Sequence, residues 1–206
     1  MIAALRRRVS GSYEVDPWGA EADWVDALSF AGRIAVRTTV TGEVPESGPA
    51  VVVASRRLGF GELLALVVGT RRATGRLIRP CGAPDVAPVG PLMRRLGVVG
   101  THPAEVASLL RSGELVAMPL TGQWQTTRAG TIAPERLEPA VRLGVPIIPA
   151  AVWGGEISGA WRIVFGPPIT ASGRATPLAV AELADRARAG VQALLDEELP
   201  PRWWAR

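Results

Sequence analysis

The sequence holds 206 residues, 48% of them apolar and 20% charged, with a formal charge of +4. That length and balance fit one soluble globular domain with a full core and exclude a disordered chain. A single cysteine, Cys81, excludes an intramolecular disulfide framework and a cysteine-based zinc cluster. All 23 basic residues are arginine, a bidentate phosphate ligand that keeps its charge near neutral pH. With a pI near 10.7, the charge admits a phosphate-bearing partner (an anionic membrane surface, a coenzyme or a nucleic acid) and equally a merely arginine-rich soluble protein. No apolar run approaches the roughly 18 residues needed to cross a bilayer. Arg6, Arg7 and Arg8 follow a short apolar stub, the reverse of a signal peptide. The expected location is therefore cytoplasmic, with any membrane contact peripheral, on the inner face.

Taken in order, Ala20 to Ala35 carries Trp24, Ala27, Leu28, Ala31 and Ile34 at helical spacing. Val36, Thr38 and Val40 alternate with Arg37, Thr39 and Thr41, which predicts a half-exposed strand ending at Gly42. Ala50 to Ala54 is a β-branched run of the kind buried in parallel sheets. Glu62 to Val68 reads as helix, and Val98-Val99 as a brief strand. Pro103 and Glu105 open a helix bearing Val106, Leu109 and Leu110, stopped by Gly113. Glu114 to Met118 is a predicted strand. Pro134 opens a helix with Leu137, Ala140 and Val141, ended by Gly144. Val145 to Trp153 and Trp161 to Phe165 are predicted strands. Pro177 to Leu199 is a predicted helix with Leu183, Ala187, Val191, Leu194 and Leu195 on one face. Strands alternating with helices imply an α/β fold: a single domain with a mostly parallel central sheet flanked by helices. We divide the chain into an N-terminal arm (1–19), the α/β domain (20–199) and a Trp/Arg tail (200–206).

Three segments, in order, resemble the glycerol-phosphate and lysophospholipid acyltransferase family. Gly48-Pro49-Ala50-Val51-Val52-Val53-Ala54-Ser55-Arg56-Arg57 stands where that family has an apolar strand ending in Asn-His. Leu109-Leu110 through Gly113-Glu114-Leu115-Val116-Ala117-Met118-Pro119 resembles the helix, glycine and strand that lead into Phe-Pro-Glu-Gly. Ala140-Val141-Arg142-Leu143-Gly144-Val145-Pro146-Ile147-Ile148-Pro149 is similar to the last block, where a helix meets a strand of the form Gly-Val-Pro-Ile-Val-Pro. Tyr13 to Gly19 resembles a lead-in of some bacterial members, and Val164 to Ile169 the usual exit strand. The resemblance spans roughly residues 13 to 195. It implies a glycerolipid acyltransferase-like fold. It also implies transfer of an acyl group from acyl-CoA or acyl-carrier protein, as donor thioester, to a phospholipid or lysophospholipid acceptor. No resident cofactor and no metal are implied.

In that family a His-x-x-x-x-Asp motif supplies the base and its orienter. Here the matching stretch is Ser55-Arg56-Arg57-Leu58-Gly59-Phe60-Gly61-Glu62. If Arg56 takes the histidine's place, the carboxylate position is Gly61. If the register slips by one, Arg57 and Glu62 keep the spacing as an ion pair. Neither register supplies a base, because arginine has no neutral population near pH 7. The Phe-Pro-Glu-Gly block reads Met118-Pro119-Leu120-Thr121-Gly122, so Leu120 removes the carboxylate associated with the acceptor's head group. The one histidine, His102, precedes the helix that begins at Pro103. It is an outside candidate for a displaced base, set against an exposed residue at a helix N-terminus. Glu62 as a lone base is disfavoured by its arginine neighbours.

The arginines Arg56, Arg57, Arg71, Arg72, Arg76, Arg79, Arg94 and Arg95 are expected either to form a phosphate-binding floor or to be solvated surface charges. Substrate-binding candidates are Arg56, Arg57, Pro119, Leu120, Thr121, Gly122 and Arg128, the last on a polar loop running from Thr121 to Thr131. Seven tryptophans stand against one tyrosine. Trp203-Trp204 between arginines reads either as an interfacial membrane anchor or as rings packed on the domain. No basic stripe with interleaved aromatics points to nucleic acid. The sequence therefore implies a retained acyltransferase-like fold that binds lipid or acyl thioester and has lost standard His/Asp catalysis. An active enzyme with a non-standard base and a regulatory lipid-binding pseudoenzyme stand as alternatives.

Overall fold

The structure is a computed structural model and describes residues 10–11, 14–21, 23–26, 37–55, 60–82, 89–122, 127–155, 159–170 and 174–198. Six strands form one sheet: β1 (Arg37–Thr41), β2 (Ala50–Ala54), β3 (Ile78–Pro80), β4 (Leu115–Pro119), β5 (Ile147–Gly154) and β6 (Ala160–Phe165), in the order β1-β6-β5-β2-β4-β3. Every pairing is parallel except the β5–β6 hairpin. β2 lies near the middle, with Val51 opposite Val116 on one side and Ile147 on the other. All five of its residues are buried, which is why its sequence is continuously apolar rather than alternating.

Helices cover both faces. Val51 and Val53 point with Val116 and Met118 toward α3 (Pro103–Arg111), α4 (Glu138–Leu143) and α5 (Pro177–Glu198). Ala50, Val52 and Ala54 point with Leu115 and Ala117 toward α1 (Phe60–Thr74). The period of two along β2 thus feeds two cores, one per face. Two of the helices, α1 and α5, approach the sheet closely at a glycine. A Cβ at Gly69 of α1 would lie 2.6 Å from Ile163 Cδ1, and one at Gly190 of α5 would lie 2.7 Å from Pro149 Cγ. Bare backbone at these positions lets the helices sit against the sheet.

The predicted strands over 36–41, 50–54, 114–118, 145–153 and 161–165 and the helices over 62–68, 103–113 and 177–199 are present within a residue or a few. The helix expected from Pro134 divides into a 3-10 turn (Pro134–Arg136) and α4, because Pro139 sits inside it at the start of α4. Val98-Val99 is reduced to a single parallel bridge between Val99 and Cys81. Two elements had no prediction: β3 and the short α2 (Val89–Arg95). Of the helix expected over 20–35, residues 23–26 are helical, and 27–36 lie outside the described residues.

Residues 14–21, mostly from the expected arm, dock on the body. Asp16 Oδ1 accepts the backbone N–H groups of Trp18 and Ala20, both at 2.9 Å, and so folds the turn. Its Oδ2 accepts from Arg79 Nη2 at 2.5 Å. Arg79 is buried on β3 and also donates to Glu114 through Nε at 3.0 Å and Nη2 at 3.2 Å. The Trp18 ring lies 5.1 Å from the guanidinium, a cation–π contact that gains strength from burial. Burial pulls the Arg79 pKa down, but the hydrogen bonds and charges of Glu114 and Asp16 outweigh it, and the net shift is upward. Among the described residues, no helix is long and apolar enough to cross a membrane.

Candidate functional site

Ligands of open α/β sheets bind in the crevice outside the carboxyl ends of the strands. Here β2, β3 and β4 run in the same direction, and a cleft opens at their shared carboxyl end. Its lining includes Ala54, Ser55, Glu62, Leu63, Cys81 and Pro119. Its enclosed space is small, about 50 Å³, and it opens to solvent at its mouth. The strand ends supply a floor of small residues, with Ala117 and Pro80 beside Ala54, while Leu63 and Leu66 of α1 form a wall.

Ser55 extends β2 beyond its last ladder residue. Its N–H donates to Ala150 O at 3.0 Å. Its Oγ accepts from Val152 N at 2.9 Å and donates to Val152 O at 3.3 Å. The hydroxyl therefore ties β2 to β5. Gly61 and Glu62 lie in the first turn of α1, and Glu62 is 4% exposed. A carboxylate suits that position because the helix N-terminus favours negative charge. Arg56 and Arg57 lie outside the described residues.

Pro119 lines the cleft. Leu120 does not hold a place in it. Its N–H continues the sheet to Ala54 O at 2.8 Å, and its side chain, 1% exposed, packs into the core with Ala129 and Ile132. The expectation of Leu120 as a substrate-contacting residue is corrected: alternation along the strand turns this side chain to the face opposite α1. Thr121 and Gly122 are exposed, with Thr121 paired backbone-to-backbone to Thr131, and Arg128 is exposed on the same loop. Trp124 and the other residues of 123–126 lie outside the described residues, as do Trp203 and Trp204.

His102 is the N-cap of α3, exposed, with Nδ1 accepting from Ala104 N at 3.3 Å. It is absent from the cleft lining. Of the two readings of the arginines, a phosphate floor or separate surface charges, the hydrogen bonds of the described ones show local partners. Arg76 donates to Pro45 O, Gly48 O and Gly113 O at 2.6, 2.6 and 2.9 Å, so it ties loops at the sheet's opposite end. Burial lowers its pKa, with the Glu114 charge acting in the other direction. Arg79 is held by Asp16 and Glu114, Arg71 reaches Gly75 O and Asp26, and Arg95 pairs with Glu21. Arg71, Arg76, Arg79 and Arg95 thus meet local carbonyls or carboxylates, and Arg72 donates to the Thr38 hydroxyl.

The sequence reading missed the wall formed by Pro80, Cys81, Gly82 and Val98. Cys81 follows a strand of three residues whose centre is charged, so neither apolar run nor alternation marks it. Burial pushes the Cys81 thiol up to about 12, with the Arg136 charge opposing and the Glu105 charge adding. At neutral pH the thiol is a small apolar wall. Among the described residues, no group of three or more His, Cys, Asp or Glu side chains is placed to hold a metal ion.

No family model matches the chain, and no curated protein matches it. Among solved structures, it is similar to the crystal structure of the 1-acyl-sn-glycerophosphate (LPA) acyltransferase PlsC from Thermotoga maritima. The TM-score is 0.62 at 18% sequence identity, over 88% of this chain and 81% of that chain. At this identity the likeness is one of fold, and it establishes the acyltransferase-like α/β architecture expected from the sequence.

Proposed function

We propose that this chain binds a phosphorylated glycerolipid, an acyl thioester or both in the cleft at the carboxyl ends of β2, β3 and β4, without standard His/Asp catalysis. The observation that carries the reading is the exit of β2. The strand leads through Ser55 directly into the cleft, and the next residues in sequence are Arg56 and Arg57, where the resembled family has its histidine. His102, the one histidine, is engaged as the exposed cap of α3. Removing a proton from a glycerol hydroxyl needs a positioned base that is unprotonated at the working pH. Glu62 is the one carboxylate among the described residues that line the cleft, and it is the candidate base for an active enzyme. The acyl donor in this reading is acyl-CoA or acyl-carrier protein. The protein works in the cytoplasm, touching the inner membrane face peripherally.

The reading is tested by pairing calorimetric titration with 1-oleoyl-lysophosphatidate and palmitoyl-CoA with a radiolabelled acyl-transfer assay on the same two compounds. Saturable binding with transfer at the no-enzyme background is the expected result. Transfer well above background that disappears in Glu62→Gln would establish an enzyme with a non-standard base. Absence of binding to both compounds would sink the proposal.

A further inference from the structure

The turn at the end of β4 is held from a distance. Thr121 N donates to Thr131 O and Thr131 N to Thr121 O, both at 2.8 Å, and the two hydroxyls repeat the exchange at 3.3 and 3.4 Å. Position 130 must be glycine for this approach, since a Cβ there would fall inside the Thr121 carbonyl. The Thr131 arm is itself fastened to α5. Gln192 Oε1 accepts from Ala129 N at 2.8 Å, and its Nε2 donates to Thr127 O at 3.0 Å and to Asp196 Oδ1 at 2.8 Å. A single amide thus meets a donor and an acceptor of the loop, as a neighbouring strand would, while Asp196 fixes which end of the amide carries the N–H groups. Thr127 and Arg128 are exposed, so burial does not set their position.

The geometry points to Gln192 as a positioning residue that, through Ala129 and Thr131, keeps the Pro119–Gly122 turn in register at the rim of the cleft. Resting on the binding role proposed above, it adds a control point on α5, far along the chain from every residue of the motif. Gln192 touches no lining residue of the cleft. Its action is to remove slack from the turn that carries Pro119, so that the rim is already in place when a ligand arrives.

Two variants of the full chain test this, Gln192→Ala and Gln192→Glu. The glutamate keeps an acceptor for Ala129 N–H but turns an oxygen toward Thr127 O and Asp196, so it is expected to fail as the alanine does. Hydrogen exchange is read on peptides covering 119–122 and 127–131, with β2 and β5 peptides as internal reference. Losing two hydrogen bonds of ordinary net strength should speed exchange in both segments about tenfold or more. The reference peptides and the urea midpoint should hold steady. Affinity for 1-oleoyl-lysophosphatidate or palmitoyl-CoA should fall in parallel. Unchanged exchange at 119–122, or faster exchange confined to 127–131, would overturn the coupling, and faster exchange with unchanged affinity would overturn its role in the site. If the parent protein binds neither compound, the binding role falls, while the exchange measurement still decides whether Gln192 holds the turn.

Discussion

Replacing Asp16 by alanine should destabilise the fold more than replacing its buried partner Arg79 by methionine. Asp16→Ala removes the 2.5 Å charge-assisted bond to Arg79 and the two backbone N–H acceptances that fold the 16–20 turn. It leaves a guanidinium that is 4% exposed with Glu114 as its one carboxylate partner. A hydrogen bond to a charged group is worth about 1.5–3 kcal/mol and a capping acceptor about 1. Asp16 is 26% exposed, so water recovers part of the loss, and about 2–3 kcal/mol is expected. For a chain of this size that is a fall in Tm of about 5–10 °C. Arg79→Met also removes the desolvation cost of the buried cation, keeps most of the volume under Trp18, and leaves two carboxylates that are about a quarter exposed. Replacing a whole buried ionic cluster by apolar residues is often near neutral. Here the two carboxylates left behind reach water, so the cost should stay below that of leaving the buried guanidinium under-paired. The double variant Asp16→Ala/Arg79→Met should therefore be more stable than Asp16→Ala alone. Urea unfolding of the four proteins measures this directly. A cost below about 0.5 kcal/mol for Asp16→Ala, or strict additivity of the two changes, would refute the clamp.

Cys81 should resist Ellman's reagent at pH 8 in the folded protein and react fully in denaturant, because burial holds its pKa up at about 12; stoichiometric labelling of the native chain would contradict its placement. The same group lowers stability as pH rises above the unfolded thiol's value of about 8.5, since the unfolded chain then releases a proton that the folded chain keeps. Its replacement by alanine should flatten the pH dependence of the urea midpoint between about pH 9 and 11. Gly190→Ala should cost about 1–3 kcal/mol, because the new methyl meets the rigid Pro149 ring, whereas Gly69→Ala meets the movable tip of Ile163 and should fall within about 1 kcal/mol of neutral once helix propensity is counted. Thermal unfolding ranks the two. His102→Ala should leave lipid and acyl-CoA binding unchanged and shift the urea midpoint by less than about 1 kcal/mol equivalent, as expected for a single exposed cap bond at 3.3 Å.

Much of the architecture was legible because burial writes itself into sequence period. β2 is buried on both faces and reads as unbroken Val and Ala, while β1, at the sheet edge, alternates exposed and half-buried residues. β3 escaped for the converse reason. Its central residue is an arginine whose charge is answered by Asp16 and Glu114, 63 and 35 positions away, and no local pattern encodes a partner at that distance. With β3 unseen, the cleft wall of Pro80, Cys81 and Gly82 went unseen too. Leu120 shows a different limit. A motif aligned by sequence says which residue stands at a position, but strand alternation decides which way it points.

The cleft is shaped by a strand of small residues ending at Ser55, by Pro119 at the end of β4, and by a helix that starts immediately over the strand ends. Ser55 spends its hydroxyl on Val152, which fixes β2 to β5 at the point where the chain turns into the cleft. Leu120 spends its side chain on the core with Ala129 and Ile132, which seats the same turn that Gln192 clips from outside. Ser55 and Leu120 both secure geometry at the cleft. A protein that holds its cleft rim by packing and by a distant amide needs neither an imidazole nor an acceptor-site carboxylate to bind a ligand. Introducing an imidazole and an aspartate partner alone should then confer little catalysis. Arg56→His with Gly61→Asp rebuilds the motif spacing of the resembled family, yet it leaves Leu120 buried in the core and supplies no carboxylate at position 120. Transfer from palmitoyl-CoA to 1-oleoyl-lysophosphatidate by that double variant is expected to remain at background, and turnover approaching ordinary enzyme rates of about 1 s⁻¹ or more would show that the rim alone was sufficient.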